Sequence, residues 1–170
     1  MPQAYKTLPL SEQLWESFEY KPLTGELVWR HKPSPRLPAG VVAGHKNKHH
    51  YVVINYKGST YQSHRLVWKW VTGQDPLNLQ IDHINTDKGS NRWGNLRLAT
   101  ITQNKANTTI YSNNKLNVKG VYTGQYGKYR ADIRHKGRIK HLGSFSTIEE
   151  AAAAYAKAAA LYHGEFARTE

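Results

Sequence analysis

The sequence of 170 residues contains no cysteine, and its 12 acidic residues are outnumbered by 24 lysines and arginines. The absence of cysteine excludes disulfides and cysteine-ligated zinc sites, so we expect no zinc. The shortage of acidic residues gives a formal net charge of +12, which predicts a polyanionic partner. Charge alone fits DNA, RNA or an anionic membrane surface equally well.

The sequence also has no apolar run long enough to cross a bilayer, and it has no signal peptide. We therefore expect no membrane partner and a cytoplasmic location. A hydrophobic share of 39% is too high for a disordered chain, and the length fits one or two small domains. Without disulfides or zinc, such domains must be stabilised by packing alone.

A carboxylate, an imidazole and two side-chain amides lie close together in the middle of the sequence, at Asp82, His83, Asn95 and Asn104. Hydrolysis of a phosphodiester needs a base that activates water and a hard cation that stabilises charge on the phosphate and the leaving oxygen. His83 suits the first task, and Asp82 and Asn104 supply oxygen ligands for the second. An Asp-His pair alone is more often a turn former, but the whole ordered string up to Asn104 favours a nuclease.

This string resembles the HNH nuclease motif of the phage homing-endonuclease kind, in the variant that ends in Asn. The resemblance implies that His83 is the general base and that Asn95 orients the loop that bears it. It also implies that Asp82 and Asn104 bind one Mg²⁺ or Mn²⁺ ion per active site. The expected core is the ββα-metal arrangement.

The residues themselves predict the same order of strand, loop, strand and helix. Turn-forming residues from Thr86 to Gly94 separate two short apolar segments, and Thr100 with Gln103 forms a capping box that opens the helix. Neighbours on a regular strand point to opposite faces, so Asp82 and His83 are expected where the first strand ends.

The region before the motif predicts antiparallel strands with a helix at either end. Ser11 is expected to cap the first helix, and the second is expected to begin near His64. His64 and Arg65 fit a brace for the site or a contact to the scissile strand, and a structural role fits them at least as well. The predicted strands are Glu26 to His31, Val41 to Asn47, Tyr51 to Tyr56 and Thr60 to His64. Candidate DNA contacts in this region and the motif are Lys46, Lys48, Arg65, Arg92, Arg97 and Lys105.

The last third predicts three short strands and a long helix. Thr147 and Glu150 form a second capping box, and Gly164 ends the helix. The apolar stripe of that helix is expected to comprise Ala151, Ala154, Tyr155, Ala158, Leu161 and Tyr162. The segments that carry a family resemblance are Lys119 to Tyr122, Tyr126 to Arg134, His141 to Phe145, Thr147 to Tyr155 and Tyr162 to Phe166.

These segments resemble the plant Apetala/ethylene-response-factor DNA-binding domain. The resemblance implies a sheet that enters the major groove. Tyr122 stands where that family has Arg, Tyr126 and His141 stand where it has Trp, and Ile139 replaces an Arg, so the plant target sequence does not transfer. The alternative for the basic strand residues is a solvated charged face. The expected DNA contacts are Lys119, Tyr122, Tyr126, Arg130, Asp132, Arg134, Arg138, Lys140 and His141.

The sequence therefore predicts an α+β protein, with an HNH nuclease domain over residues 1–107, a linker over 108–118 and a DNA-binding domain over 119–170. The motif itself occupies residues 79–107. The expected function is metal-dependent, site-specific cleavage of double-stranded DNA of the homing type, by a monomer that nicks one strand per site. We expect a chain without residues 119–170 to fold and to remain a weakly active nuclease with little selectivity. The alternatives are a non-catalytic DNA-binding regulator with a vestigial motif and, less favoured, an RNA-binding protein.

Overall fold

The computed structural model describes residues 6–110 and 114–169. Its contacts divide the chain into two compact units, Met1–Leu98 and Ala99–Glu170. Each unit combines helices with small antiparallel sheets, which agrees with the predicted mixture of helices and strands. None of the helices in the described ranges is long and apolar enough to span a membrane.

The N-terminal unit is built from two small sheets, a strand pair that bears the motif, and two helices. The elements are α1 (Ser11–Ser17), β1 (Phe18–Lys21), β2 (Glu26–Trp29), β3 (His45–Lys46), β4 (Val52–Tyr56), β5 (Ser59–Gln62), α2 (Ser63–Thr72), β6 (Gln80–His83) and β7 (Leu96–Ala99). Strands β1 and β2 form an antiparallel hairpin, β3, β4 and β5 form an antiparallel sheet, and β6 pairs with β7.

Several boundaries in this unit differ from the predictions. The strand predicted over Glu26 to His31 ends at Trp29. The strand predicted over Val41 to Asn47 is reduced to β3, because the preceding residues make only an isolated bridge between Val28 and Val42. The strand predicted to reach His64 stops at Gln62, since α2 begins at Ser63. Ser11 is not a cap; Leu10 holds that position, and the Ser11 hydroxyl instead donates a hydrogen bond to the carbonyl of Gly73.

The core of the N-terminal unit connects α1, the hairpin, β4 and α2. Its fully buried side chains include Leu14, Phe18, Leu27, Ile54 and Leu66. Ile81 on β6 and Leu96 on β7 belong to the same cluster. The strand that carries the Asp-His pair is therefore anchored through the apolar side chain directly before that pair.

The C-terminal unit contains a three-stranded antiparallel sheet with a helix packed on one face. The elements are α3 (Ile101–Ala106), β8 (Val121–Thr123), β9 (Tyr129–His135), β10 (Arg138–Phe145) and α4 (Ile148–His163), followed by a short 3₁₀ turn (Gly164–Phe166). The sheet order is β10-β9-β8. Both predicted capping boxes are confirmed, at Thr100 for α3 and at Thr147 for α4.

Small residues bring α4 close to the sheet. Ala151, Tyr155 and Ala158 are buried as predicted, but Leu161 is 75% exposed. The predicted apolar stripe was wrong at Leu161, because this residue lies beside the face of α4 that packs on the sheet. Ala159, which was not predicted, is buried on that face. A side chain at Gly120 could not be accommodated, since its Cβ would lie 2.1 Å from the ring of Tyr155.

Candidate active site

Asp82 and His83 are the last two residues of β6, and both side chains are buried. The strand ends at His83, and the chain turns at once, with the amide of Thr86 bonded to the carbonyl of His83 at 2.8 Å. This is the predicted position at a strand end. The two side chains contact different partners: Arg97 for Asp82, and Asn91 for His83.

The imidazole of His83 is held in one orientation by Asn91. The distance from His83 Nε2 to Asn91 Oδ1 is 3.0 Å, and both groups are buried. A carboxamide oxygen only accepts hydrogen bonds, so Nε2 carries the proton and Nδ1 carries the lone pair. Burial lowers the pKa of His83 below its usual value, which outweighs the opposite effect of Asn91 and Asp82. The ring is therefore neutral at neutral pH, which is the form that a general base needs.

Asn95 closes the loop that follows His83. Its Oδ1 accepts the amide of Asn85 at 3.0 Å, and its Nδ2 donates to the carbonyl of Ser90 at 2.8 Å. Its backbone carbonyl also accepts the amide of Ile84 at 2.9 Å. One side chain thus connects the start and the end of the loop, and it fixes the path of the chain directly after His83.

Asn91 is the site residue that the sequence reasoning missed. Its backbone carbonyl accepts a hydrogen bond from the hydroxyl of Tyr20 at 3.0 Å. The hairpin turn between β1 and β2 also approaches it, because a Cβ at Gly25 would lie 2.4 Å from the Asn91 carbonyl carbon. Gly25 has a φ of +80°, which other residues rarely adopt. Asn91 lies within the ordered string, but no sequence pattern connects it to a hairpin about seventy residues upstream.

Arg97 on β7 makes an ion pair with Asp82. Its Nε lies 2.9 Å from Asp82 Oδ2, and the side chains are 14% and 4% exposed, respectively. This contact orients the buried carboxylate. Arg97 thus pairs with Asp82, the predicted metal ligand, and its contact with DNA stays a prediction.

His64 and Arg65, at the start of α2, are both buried. The His64 ring lies edge-on to the His83 ring at 5.1 Å, and burial lowers the His64 pKa to about 3. In the described part of the chain, His64 Nδ1 has no hydrogen-bond partner. Arg65 is 5% exposed and bonded to Asp75 at 3.2 Å. The DNA contact predicted for Arg65 is inconsistent with this burial, so its role here is structural.

The other predicted contacts of this region are exposed. Lys46 lies on β3 and Lys48 follows it in a turn, while Arg92 precedes the short 3₁₀ turn at Trp93–Asn95. Asn104 is the fourth residue of α3 and belongs, with the exposed Lys105, to the C-terminal unit. Across residues 6–110 and 114–169, no group of three or more His, Cys, Asp or Glu side chains could hold a metal.

The strand register of the C-terminal unit sorts the predicted contacts onto two faces. Paired residues of neighbouring strands lie on the same face of a sheet. Arg130 pairs with Tyr122, Arg134 pairs with Ile139, and Asp132 pairs with His141. These residues face away from α4, and we call this surface the open face: Tyr122, Arg130, Asp132, Arg134, Ile139 and His141.

Asp132 holds its two neighbours on the open face. It is 8% exposed, and its carboxylate binds the guanidinium of Arg130 and, at 2.9 Å, Nδ1 of His141. Asp132 therefore orients Arg130 and His141, and its own contact with DNA stays a prediction. Arg130 and His141 remain accessible.

Three further predicted DNA contacts of the C-terminal unit lie away from the open face. Arg138 pairs with His135 and Lys140 pairs with Ile133, so both lie on the helix face, where Lys140 donates to the hydroxyl of Tyr162 at 2.6 Å. Lys119 is directed inward and donates to two backbone carbonyls. The sequence could not place these side chains, because a lysine has the same sequence signal whether it contacts DNA, a tyrosine hydroxyl or a backbone carbonyl. Tyr126 is 96% exposed in the β8–β9 loop.

Comparison with known proteins identifies the region around this site. Residues 61–106 match the family described as HNH endonuclease. A protein of Acanthamoeba polyphaga mimivirus, named as an uncharacterized HNH endonuclease, is 33% identical over 115 residues, which are 67% of this chain and 59% of the viral protein. The chain thus matches less than two thirds of the length of that relative. No solved structure gives a significant match. The chain therefore carries an HNH endonuclease domain, and the matched residues include Asp82, His83, Asn95 and Asn104.

Proposed function

We propose that the protein is a metal-dependent, site-specific DNA endonuclease of the homing type, which acts as a monomer and nicks one strand per site. The observation that carries this proposal is the buried, neutral His83, with its proton on Nε2 fixed by Asn91 and the following loop closed by Asn95. A buried histidine with only a packing role would not need one amide bonded to its ring and a second amide that closes the loop after it. The arrangement instead provides an oriented base beside a carboxylate.

In this proposal His83 takes a proton from water at Nδ1. The lone pair is on that atom because Nε2 donates to Asn91. Asn95 keeps the loop from moving the ring during the reaction, and Asn91 prevents the ring from flipping. Deprotonating water beside a phosphodiester generates the nucleophile that attacks phosphorus.

HNH nucleases generally use a divalent metal ion, and the donor chemistry here fits one. Asp82 is a buried carboxylate oriented by Arg97, and the HNH pattern assigns Asn104 the second oxygen ligand. Carboxylate and amide oxygens suit Mg²⁺ or Mn²⁺, and Mg²⁺ usually completes its shell with water and substrate phosphate oxygens. Such an ion, when bound, stabilises negative charge on the phosphate and on the leaving oxygen.

The C-terminal unit supports sequence recognition in this proposal. Its sheet and helix agree with the resemblance to the plant Apetala/ethylene-response-factor domain, and its open face presents Arg130, Arg134 and His141. A sheet face of this width can enter the major groove, where arginine recognises guanine through two hydrogen bonds. The net charge of +12 supplies the non-specific attraction to phosphates.

Nicking of supercoiled plasmid by the purified full chain tests the function. We expect relaxation with Mg²⁺ or Mn²⁺, none with a chelator, and only nicked circles early in the reaction. The cut position is then mapped on a randomised duplex library. Specific DNA binding with no metal-dependent cleavage would favour the regulator instead, and preferential action on RNA would contradict both readings.

A further inference from the structure

Helix α3 is held by later residues of the C-terminal unit. It contains only six residues, Ile101–Ala106, and isolated helices of that length are unstable in water. Its stability must therefore come from its capping box and from packing. The packing is supplied by Phe166, which forms a buried cluster with Ala99 and Ala106 and is itself 3% exposed.

A lysine side chain binds the carbonyls at the C-terminal end of α3. The ammonium of Lys119 donates to the carbonyl of Ala106 at 2.6 Å and to the carbonyl of Thr108 at 2.5 Å. The last carbonyls of a helix have no partner within the helix, and a cation placed there also interacts favourably with the helix dipole. Burial lowers the pKa of Lys119 to about 8, as expected for an ammonium enclosed by protein.

Asn104, which lies on α3, and the two residues that hold α3 belong to different parts of the sequence. Asn104 ends the HNH motif, and the family match stops at residue 106. Lys119 and Phe166 come from the segment expected to be a separate DNA-binding domain. By its contacts, however, α3 groups with residues Ala99–Glu170.

We propose that Lys119 and Phe166 are positioning residues of the nuclease, which keep α3, and with it the backbone that bears Asn104, folded. This inference rests on the proposed function, in which Asn104 is a metal ligand. It adds a cause to the weak activity expected of a chain without residues 119–170, because that deletion removes both contacts that hold α3. The C-terminal unit then contributes to cutting as well as to choice of sequence.

The first test separates catalysis from DNA binding in the full chain. Phe166→Ala and Lys119→Met should each lower kcat by about 10- to 100-fold, the usual effect of removing support from a metal ligand, with KM for DNA unchanged and a higher half-saturating metal concentration. Phe166→Leu and Lys119→Arg should recover part of kcat. The matched controls are Leu161→Ala and Lys157→Met, which alter exposed side chains of α4 and should leave kcat unchanged. Wild-type kcat in Phe166→Ala and Lys119→Met, or a change in KM alone, would overturn the proposal.

The second test does not depend on activity. Hydrogen exchange of residues 100–107 should follow that of α4, because contiguous units open together, and it should be slower in the wild type than in Phe166→Ala. Exchange in α2 should be the same in both proteins. If residues 100–107 exchange identically with and without Phe166, α3 is not held by the C-terminal unit. If the wild type neither cuts nor binds metal but α3 responds to Phe166→Ala, the proposed function fails while the structural dependence stands.

Discussion

Replacing Asn91 with alanine should disable catalysis without removing any predicted ligand or base. The change leaves His83 Nε2 buried without its acceptor, 3.0 Å away in the wild type. Such a loss costs about 1 to 3 kcal/mol. Because about 1.4 kcal/mol corresponds to a factor of ten, the fraction of rings in the productive tautomer and orientation should fall about 10- to 100-fold.

The assay is plasmid nicking under single-turnover conditions with saturating metal, accompanied by DNA affinity. We expect Asn91→Ala to lower the cleavage rate by that factor and to leave the Kd for DNA near the wild-type value. Asn91→Asp keeps an acceptor, so it should retain more activity, and its added negative charge should raise the His83 pKa and move the acid limb of the rate profile to higher pH. Asn55→Ala, at an exposed position of β4, is the control. Wild-type cleavage by Asn91→Ala would refute the role of this contact.

Three further changes test other parts of the site. Gly25→Ala places a Cβ 2.3 Å from the amide nitrogen of Arg92 and should slow cleavage about 10- to 100-fold by displacing the Asn91 segment. The pKa of His64 is about 3 in the folded protein and about 6.5 in the unfolded chain. The neutral, buried His64 therefore contributes its full stabilisation above about pH 6.5, and this stabilisation is lost as the pH falls below about 6.5. Between about pH 7.5 and pH 5 the wild type should lose about 2 kcal/mol of unfolding free energy that His64→Phe does not lose, measured by urea denaturation. Arg134→Ala should cost about 1 to 3 kcal/mol of binding to the preferred duplex and relax selectivity at one or two base pairs.

Each of the three substitutions has a matched control variant or a result that would contradict its prediction. Gly58 has a similar φ of +73° but nothing within 4 Å, so Gly58→Ala keeps the backbone strain without the collision and should cut normally. Equal pH dependence in His64→Phe and the wild type would mean that His64 is not the group responsible. Arg138→Ala, on the helix face of the sheet, should leave sequence selectivity unchanged. If Arg134→Ala weakens binding to all duplexes alike, that arginine contacts phosphate instead of a base.

The sequence predicted local structure well where short-range chemistry determines it. Both capping boxes form as expected, because Thr100 and Thr147 each satisfy an amide three residues ahead. The placement of the Asp82-His83 pair at the end of a strand follows from the turn residues after it. The HNH assignment needed no structure, since the residues of the motif occur in order within one short segment.

Long-range contacts were not predictable in the same way. Nothing in the sequence around Asn91 indicates that Tyr20 and Gly25 pack against it, and nothing near Lys119 indicates that it caps α3. The sequence also did not predict the burial of Arg65 beside Asp75, because a basic residue near a motif has the same sequence signal whether it binds DNA or an internal carboxylate. These contacts depend on how separate elements come together.

The measurement that tests the central claim most directly compares cleavage and binding by His83→Ala. Single-turnover nicking and DNA affinity should be measured with the same plasmid, metal concentration and salt, with His49→Ala at an exposed loop position as the control. We predict that cleavage falls by about 10²- to 10⁴-fold while the Kd for DNA is unchanged, because the base acts on water and not on binding. Nicking at the wild-type rate by His83→Ala would contradict the account.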